Sequence, residues 1–180
     1  YGHRRKPGLY RDIYPAWSDP NLRALSEQVN SALFLAHVRA STGSAISRNN
    51  CHPFVVDRWS FMHNGQIGGF EAVRKAADML IPNELYRHRR GATDSEAFFL
   101  VALGNGLETD PLDAIARTIA TFETLATKTP KFRMTAVFSD GEKLYAVRYA
   151  SDDSAPTLYH RWSGSQKGMA VVSEPFDTDS

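Results

Sequence analysis

Three things are scarce in this sequence, and each scarcity removes a class of explanation. Among 180 residues there is a single cysteine, Cys51. That excludes an internal disulfide and any zinc site built on several thiolates. No apolar run approaches the roughly 18 residues that cross a bilayer as a helix. The opening, Tyr1-Gly2-His3-Arg4-Arg5, is not followed by the apolar stretch of a secretory leader. Net charge is also scarce, at +1. The chain as a whole has no electrostatic reason to seek nucleic acid or an anionic membrane. Two basic clusters, His3-Arg4-Arg5-Lys6 and Arg87-His88-Arg89-Arg90, are short and interrupted. Solvated loop faces explain them better than phosphate sites do. A cytoplasmic setting is the simplest inference.

What is present is an ordinary globular composition, 42% hydrophobic and 23% charged, in a length that suits one domain. The expectation is a single domain over residues 1–180, cut at both ends, since the chain opens on Tyr1 and stops without a terminal element. Asp19, followed by Pro20, is an N-cap and N1 pair that predicts a short helix over 21–30. Residues 32–39 are apolar on both faces, which predicts a strand covered from both sides. Residues 41–50 read as a loop, and 54–62 as a second buried strand. Helical spacing recurs over 70–80 and again from Asp110-Pro111, with Leu112, Ile115, Ile119, Phe122 and Leu125 on one face. From 131 the period becomes two. Strands around Asp140-Gly141 form a hairpin, and 157–162 and 168–173 read as two more strands. Segregated strands and helices predict α+β, with two antiparallel sheets between helical layers.

Four polar clusters sit at the ends of these elements, where binding residues gather. In His37-Val38-Arg39-Ala40-Ser41-Thr42-Gly43, Arg39 offers a planar fork suited to a carboxylate, either a ligand's or one in the core. In Asn49-Asn50-Cys51-His52-Pro53, adjacent Cys51 and His52 point to opposite faces of an extended chain. They are a poor nucleophile and base pair, and a small half-buried thiol before a turn is the simpler reading. His63-Asn64-Gly65 is either a hairpin turn or an amide and a backbone N–H aimed at one developing oxyanion. The sequence after Gly65 heads for a helix, which weakens the hairpin. Thr93-Asp94-Ser95-Glu96 is a capping box that still leaves Asp94 free to meet an ammonium group.

In this order, from about Leu33 to Glu96 with a looser echo at Ser173-Glu174-Pro175, the clusters resemble the glutaminase domain of class II glutamine amidotransferases. Those are N-terminal-nucleophile hydrolases, and the family includes the amidotransferases of hexosamine and purine synthesis. The spacing is most similar to small stand-alone members such as the γ-glutamyl amidohydrolases of ergothioneine synthesis. The resemblance implies a four-layer αββα sandwich, here without its first strands. It implies that Arg39 binds the α-carboxylate of glutamine, with Thr42 in support and His63 beside it. It assigns Asp94 the α-amino group, Asn64 and Gly65 the oxyanion, and His52-Pro53-Phe54 a structural role.

The chain departs from the family at the nucleophile, a cysteine at the mature N-terminus whose α-amino group acts as base. Tyr1 cannot serve and Cys51 does not match that position, so a cysteine upstream of Tyr1 is expected. The implied reaction hydrolyses the γ-amide of glutamine through a cysteinyl thioester and releases ammonia, for which a synthase partner is a natural acceptor. It requires no metal or organic cofactor. The alternatives are an amidohydrolase of another γ-glutamyl compound and an inactive glutamine-binding domain.

Overall fold

Period-two patterning after residue 131 and a buried apolar run at 54–62 together supply the main sheet. A computed structural model of the protein describes residues 1–38, 46–129, 131–164 and 167–175. Four antiparallel strands pair in chain order: β1 (Phe54–Val56), β2 (Trp59–Ile67), β3 (Phe132–Ser139) and β4 (Leu144–Ala150). A separate pair is formed by β5 (Tyr159–Ser163) and β6 (Gly168–Val172). The helices are α1 (Pro20–Ser26), α2 (Phe70–Asp78), α3 (Asn83–Tyr86), α4 (Asp94–Gly104) and α5 (Pro111–Leu125). The fold is α+β, as expected. The four-layer arrangement is not traced by the described residues, whose second sheet is the β5–β6 pair alone.

Alternation sends Phe54, Phe61, Phe132, Met134, Ala136 and Phe138 to one face of the main sheet, where all are buried. The helices cover that face. Phe61 lies flat on Phe99 of α4, with centroids 5.3 Å apart and planes at 6°. Helix α4 touches β2 on one side and α2 and α5 on others. That explains why residues 95–102 are apolar or buried all round. The opposite face of the sheet is more open. The Tyr1 hydroxyl sits there within 2.9 Å of Ser60 Oγ, and Thr135 Oγ1 donates to Pro156 O at 3.1 Å.

Four elements differ from expectation. Residues 54–62 are not one strand but a tight hairpin: Val56 pairs with Trp59, and Asp57 turns the chain at φ 49°. Asp and Asn tolerate that left-handed conformation better than other side chains, and an apolar run hides such a turn. Residues 32–38 form no strand. Among the described residues no other strand lies alongside them, and Phe34 and Val38 stay 76% exposed. The β3–β4 connection spans residues 140–143 rather than two residues. Asp140 Oδ1 caps the turn by accepting from the Glu142 and Lys143 amides. Helix α1 begins at its expected cap, Asp19, which accepts from Asn21 and Leu22 amides, but it ends at Ser26.

Candidate active site

Strand β2 carries the His63-Asn64-Gly65 cluster, and its register decides where each group points. Asn64 pairs with Thr135 and Gly65 with Met134. The cluster is therefore inside the strand and not at its end, because the ladder with β3 continues to Ile67. Side-chain alternation places His63 on the helix-covered face and the exposed Asn64 on the opposite one. Gly65 is held at φ 147°, and a Cβ built on it would lie 1.9 Å from Arg133 O and 2.7 Å from His63 Nε2. Only glycine fits there.

The backbone groups of β2 follow the same alternation. Gly68 N–H donates to Lys131 O, which sets the even residues of β2 as those bonded to β3. The odd residues face the other edge. Phe61 meets β1 there, but β1 reaches no farther than Phe54. Beyond it the N–H groups of His63, Gly65 and Ile67 face an edge that no strand covers among the described residues. Ile67 N–H donates to Asp94 Oδ2 at 3.0 Å. Asp94 thus lies on the edge along which Gly65 N–H projects, two residues or roughly 7 Å away.

Asp94 opens α4. Thr93 caps the helix, its hydroxyl accepting from Glu96 N–H at 3.2 Å. The reciprocal half of the expected capping box is absent. Glu96 instead accepts from Arg89 Nη1 at 3.0 Å, Gly91 N–H at 2.7 Å and Arg90 N–H at 3.2 Å. Arg89 also donates to Asp78 at 2.9 Å, and its side chain is only 4% exposed. This corrects the solvated-face reading of the second basic cluster: Arg89 is an internal tie between α2 and α4. Spacing could not reveal it, because its partners lie 11 residues before and 7 after.

His63 is 4% exposed. Its Nδ1 is 2.9 Å from Ser95 Oγ and its Nε2 3.4 Å from Arg133 O. Both ring nitrogens thus meet protein groups, an arrangement that fits a support better than an open ligand to substrate. Burial depresses its pKa below the ordinary 6.5, with Asp94 pulling the other way, so the ring is neutral near pH 7. Ser95 was not singled out in the sequence. The signal that could have found it is its place one residue after Asp94 in the first turn of a buried helix.

Arg39 and Thr42 lie outside the described residues. His37 packs its ring 4.3 Å from that of His52, which in turn meets Phe54 at 4.7 Å, in keeping with the structural part expected of His52-Pro53-Phe54. Cys51 is half-buried, with Sγ 3.4 Å from Ser47 O and 3.5 Å from Asp12 O. Among the described residues, two hollows of about 420 and 190 Å³ lie around Arg58 and around Val55; neither is lined by Asn64, Gly65 or Asp94. Among the described residues no helix is long and apolar enough to cross a membrane.

The family model described as class-II glutamine amidotransferases matches residues 7–160, and the chain belongs to that family. It is similar to the probable glutamine amidotransferase DUG3 of Saccharomyces cerevisiae, 42% identical over 97 residues, which are 54% of this chain and 27% of that protein. The chain thus spans well under half the length of that relative. A solved glutamine aminotransferase class-II domain protein from Silicibacter pomeroyi superposes with a TM-score of 0.92 at 57% identity, covering 99% of this chain and 77% of that one.

Proposed function

We propose that the chain binds glutamine along the free edge of β2 and supports hydrolysis of its γ-amide through a cysteinyl thioester. The observation that carries this is Asp94 seated on Ile67 N–H, two residues along one edge from Gly65 N–H. An extended chain of four bonds from the α-nitrogen to the amide carbon of glutamine, about 5 Å, bridges that separation with a hydrogen bond at each end. Asp94 accepts from the α-ammonium group. Arg39 binds the α-carboxylate, with Thr42 beside it. A guanidinium and a carboxylate then fix the zwitterion by charge-assisted bonds.

The amide carbonyl meets Gly65 N–H and the Asn64 side chain. As a thiolate adds to the amide carbon, negative charge grows on that oxygen, and donors already in place stabilise it without reorganising. Ammonia leaves, and water cleaves the γ-glutamyl thioester. The thiol comes from outside residues 1–180, since Cys51 Sγ is turned onto two backbone carbonyls. A synthase could take up the ammonia.

Steady-state ammonia release from glutamine tests the reading in the full-length polypeptide. Asn64→Ala should lower kcat about 100- to 1,000-fold. Arg39→Ala should chiefly raise KM. Near-normal turnover in both variants would reject the assignments. Rates with bulkier γ-glutamyl amides, compared with glutamine, then separate a glutaminase from an amidohydrolase of another γ-glutamyl compound. Glutamine binding without turnover under any condition would leave a binding domain.

A further inference from the structure

The polar chain behind Asp94 extends into the core. Ser95 Oγ is 2.9 Å from His63 Nδ1 and 3.2 Å from Asp94 Oδ1. Asp94 Oδ1 also accepts from Ser95 N–H at 2.7 Å, while Oδ2 accepts from Ile67 N–H at 3.0 Å. The carboxylate is therefore held from α4 and from β2 at once. His63 sits on β2 two residues before Gly65 and touches the space its missing Cβ leaves.

Proton counting selects one arrangement. Ser95 has one hydroxyl proton and two acceptors in range. If His63 carries its proton on Nε2, Ser95 must donate to Nδ1. Its oxygen then faces Asp94 Oδ1 at 3.2 Å with no proton between them. If His63 carries its proton on Nδ1, it donates to Ser95 Oγ, and Ser95 donates to Asp94. The mismatch then moves to the longer contact, Nε2 with Arg133 O at 3.4 Å.

We infer that Ser95 and His63 are positioning residues: neutral His63, protonated on Nδ1, acts through the Ser95 hydroxyl to set the orientation of the Asp94 carboxylate. The relay ties the helix bearing the ammonium acceptor to the strand bearing the oxyanion donors, so the spacing between the two ends of the substrate is held by one chain of bonds. No covalent step is involved. The inference rests on the proposed role of Asp94 and adds the machinery that aims it.

The test compares kcat and KM for glutamine hydrolysis in the full-length polypeptide and its Ser95→Ala, Ser95→Thr and Asp94→Asn variants. Nitrogen-15 NMR of His63 in the unmodified protein accompanies the kinetics. Ser95→Ala should raise KM roughly 5- to 10-fold with kcat within about two-fold, and Ser95→Thr should recover most of the loss. The His63 signals should show a protonated Nδ1 and a bare Nε2. If Asp94→Asn raises KM and Ser95→Ala does not, the relay is wrong and the role of Asp94 stands. If neither variant changes KM, the parent reading falls as well. A proton found on Nε2 overturns the relay whether or not the serine variants fold.

Discussion

Gly65→Ala should damage this protein in a way that Asn64→Ala does not, although the two residues are neighbours in the proposed cradle. The new Cβ would sit 1.9 Å from Arg133 O, more than 1 Å inside the 3.0 Å that real Cβ atoms respect, and 2.7 Å from His63 Nε2. Neither neighbour yields easily. Arg133 O belongs to β3, paired with β2 from Ser60 to Ile67, and His63 is fixed between Ser95 and Arg133. The backbone adds its own cost, because φ 147° is a conformation L side chains rarely adopt. An unfavourable backbone region costs about 1–3 kcal/mol, and forced overpacking about another 1–3. Together they give a destabilisation of about 4 kcal/mol. For a protein of this size each kcal/mol lowers Tm by roughly 2–4 °C, so the variant should melt about 8–16 °C lower. Asn64 is exposed on the opposite face of the sheet, so Asn64→Ala should leave Tm within about 2 °C while losing activity. Thermal unfolding followed by circular dichroism measures both. A Gly65→Ala protein that melts with the unmodified one would refute the claim that β2 and β3 close on this glycine.

Further outcomes follow from the core behind the edge. His63 has a folded-state pKa below the unfolded value of about 6.5. The unfolded chain therefore binds more protons between the two values, so stability rises with pH through that window and is lost as pH falls below about 6.5. Urea titrations across pH 5 to 8 should show this slope, and His63→Gln should flatten it. Arg89→Met should destabilise the fold by about 3–5 kcal/mol, because it leaves the Glu96 carboxylate, 5% exposed, without its cation. Adding Glu96→Gln to that variant should recover part of the loss in the same denaturant titration. Equal destabilisation of the single and double variants would show that the ion pair does not carry the coupling between α2 and α4.

Much of this architecture is legible in the chain because its signals are local. Asp110 and Thr93 cap helices where they were expected to, since an N-cap needs only the two or three residues after it. The 132–139 and 144–150 strands declare themselves by period two against a buried face. What stays hidden depends on partners distant in sequence. Residues 54–62 are apolar enough to read as one strand, and only the pairing of Val56 with Trp59 shows the turn at Asp57. Residues 32–38 have strand composition, but a strand exists only beside another, and none of the described strands takes that place. Arg89 reads as part of a basic surface run until Asp78 and Glu96 are brought to it. The site divides in the same way. Asn64, Gly65 and Asp94 were identifiable as candidate residue types in order, but the β2 edge that Asp94 shares with Gly65 was not.

Among the described residues that edge exists because β1 is short. Continuing the register of Phe54 with Phe61 would set Pro53 against Met62 and His52 against His63. Met62 bonds to β3, so Pro53 would point its nitrogen away from β2, as an edge strand permits, and the next ladder bond would fall to His52 and His63. The backbone instead turns away at His52-Pro53 into a one-turn helix at Arg48–Asn50, and Asn50 Oδ1 accepts from Ala92 N–H at 2.8 Å just ahead of α4. One turn therefore does two things. Among the described residues it leaves the Gly65 and Ile67 amides without a strand partner, and it anchors the segment that delivers Asp94 to one of them. A longer β1 would satisfy both amides and improve the sheet while closing the place where glutamine is proposed to lie. On this view the stretch of β2 beyond β1 is the proposed ligand site itself, with the Asp94 carboxylate on the Ile67 amide and the substrate carbonyl on the Gly65 amide.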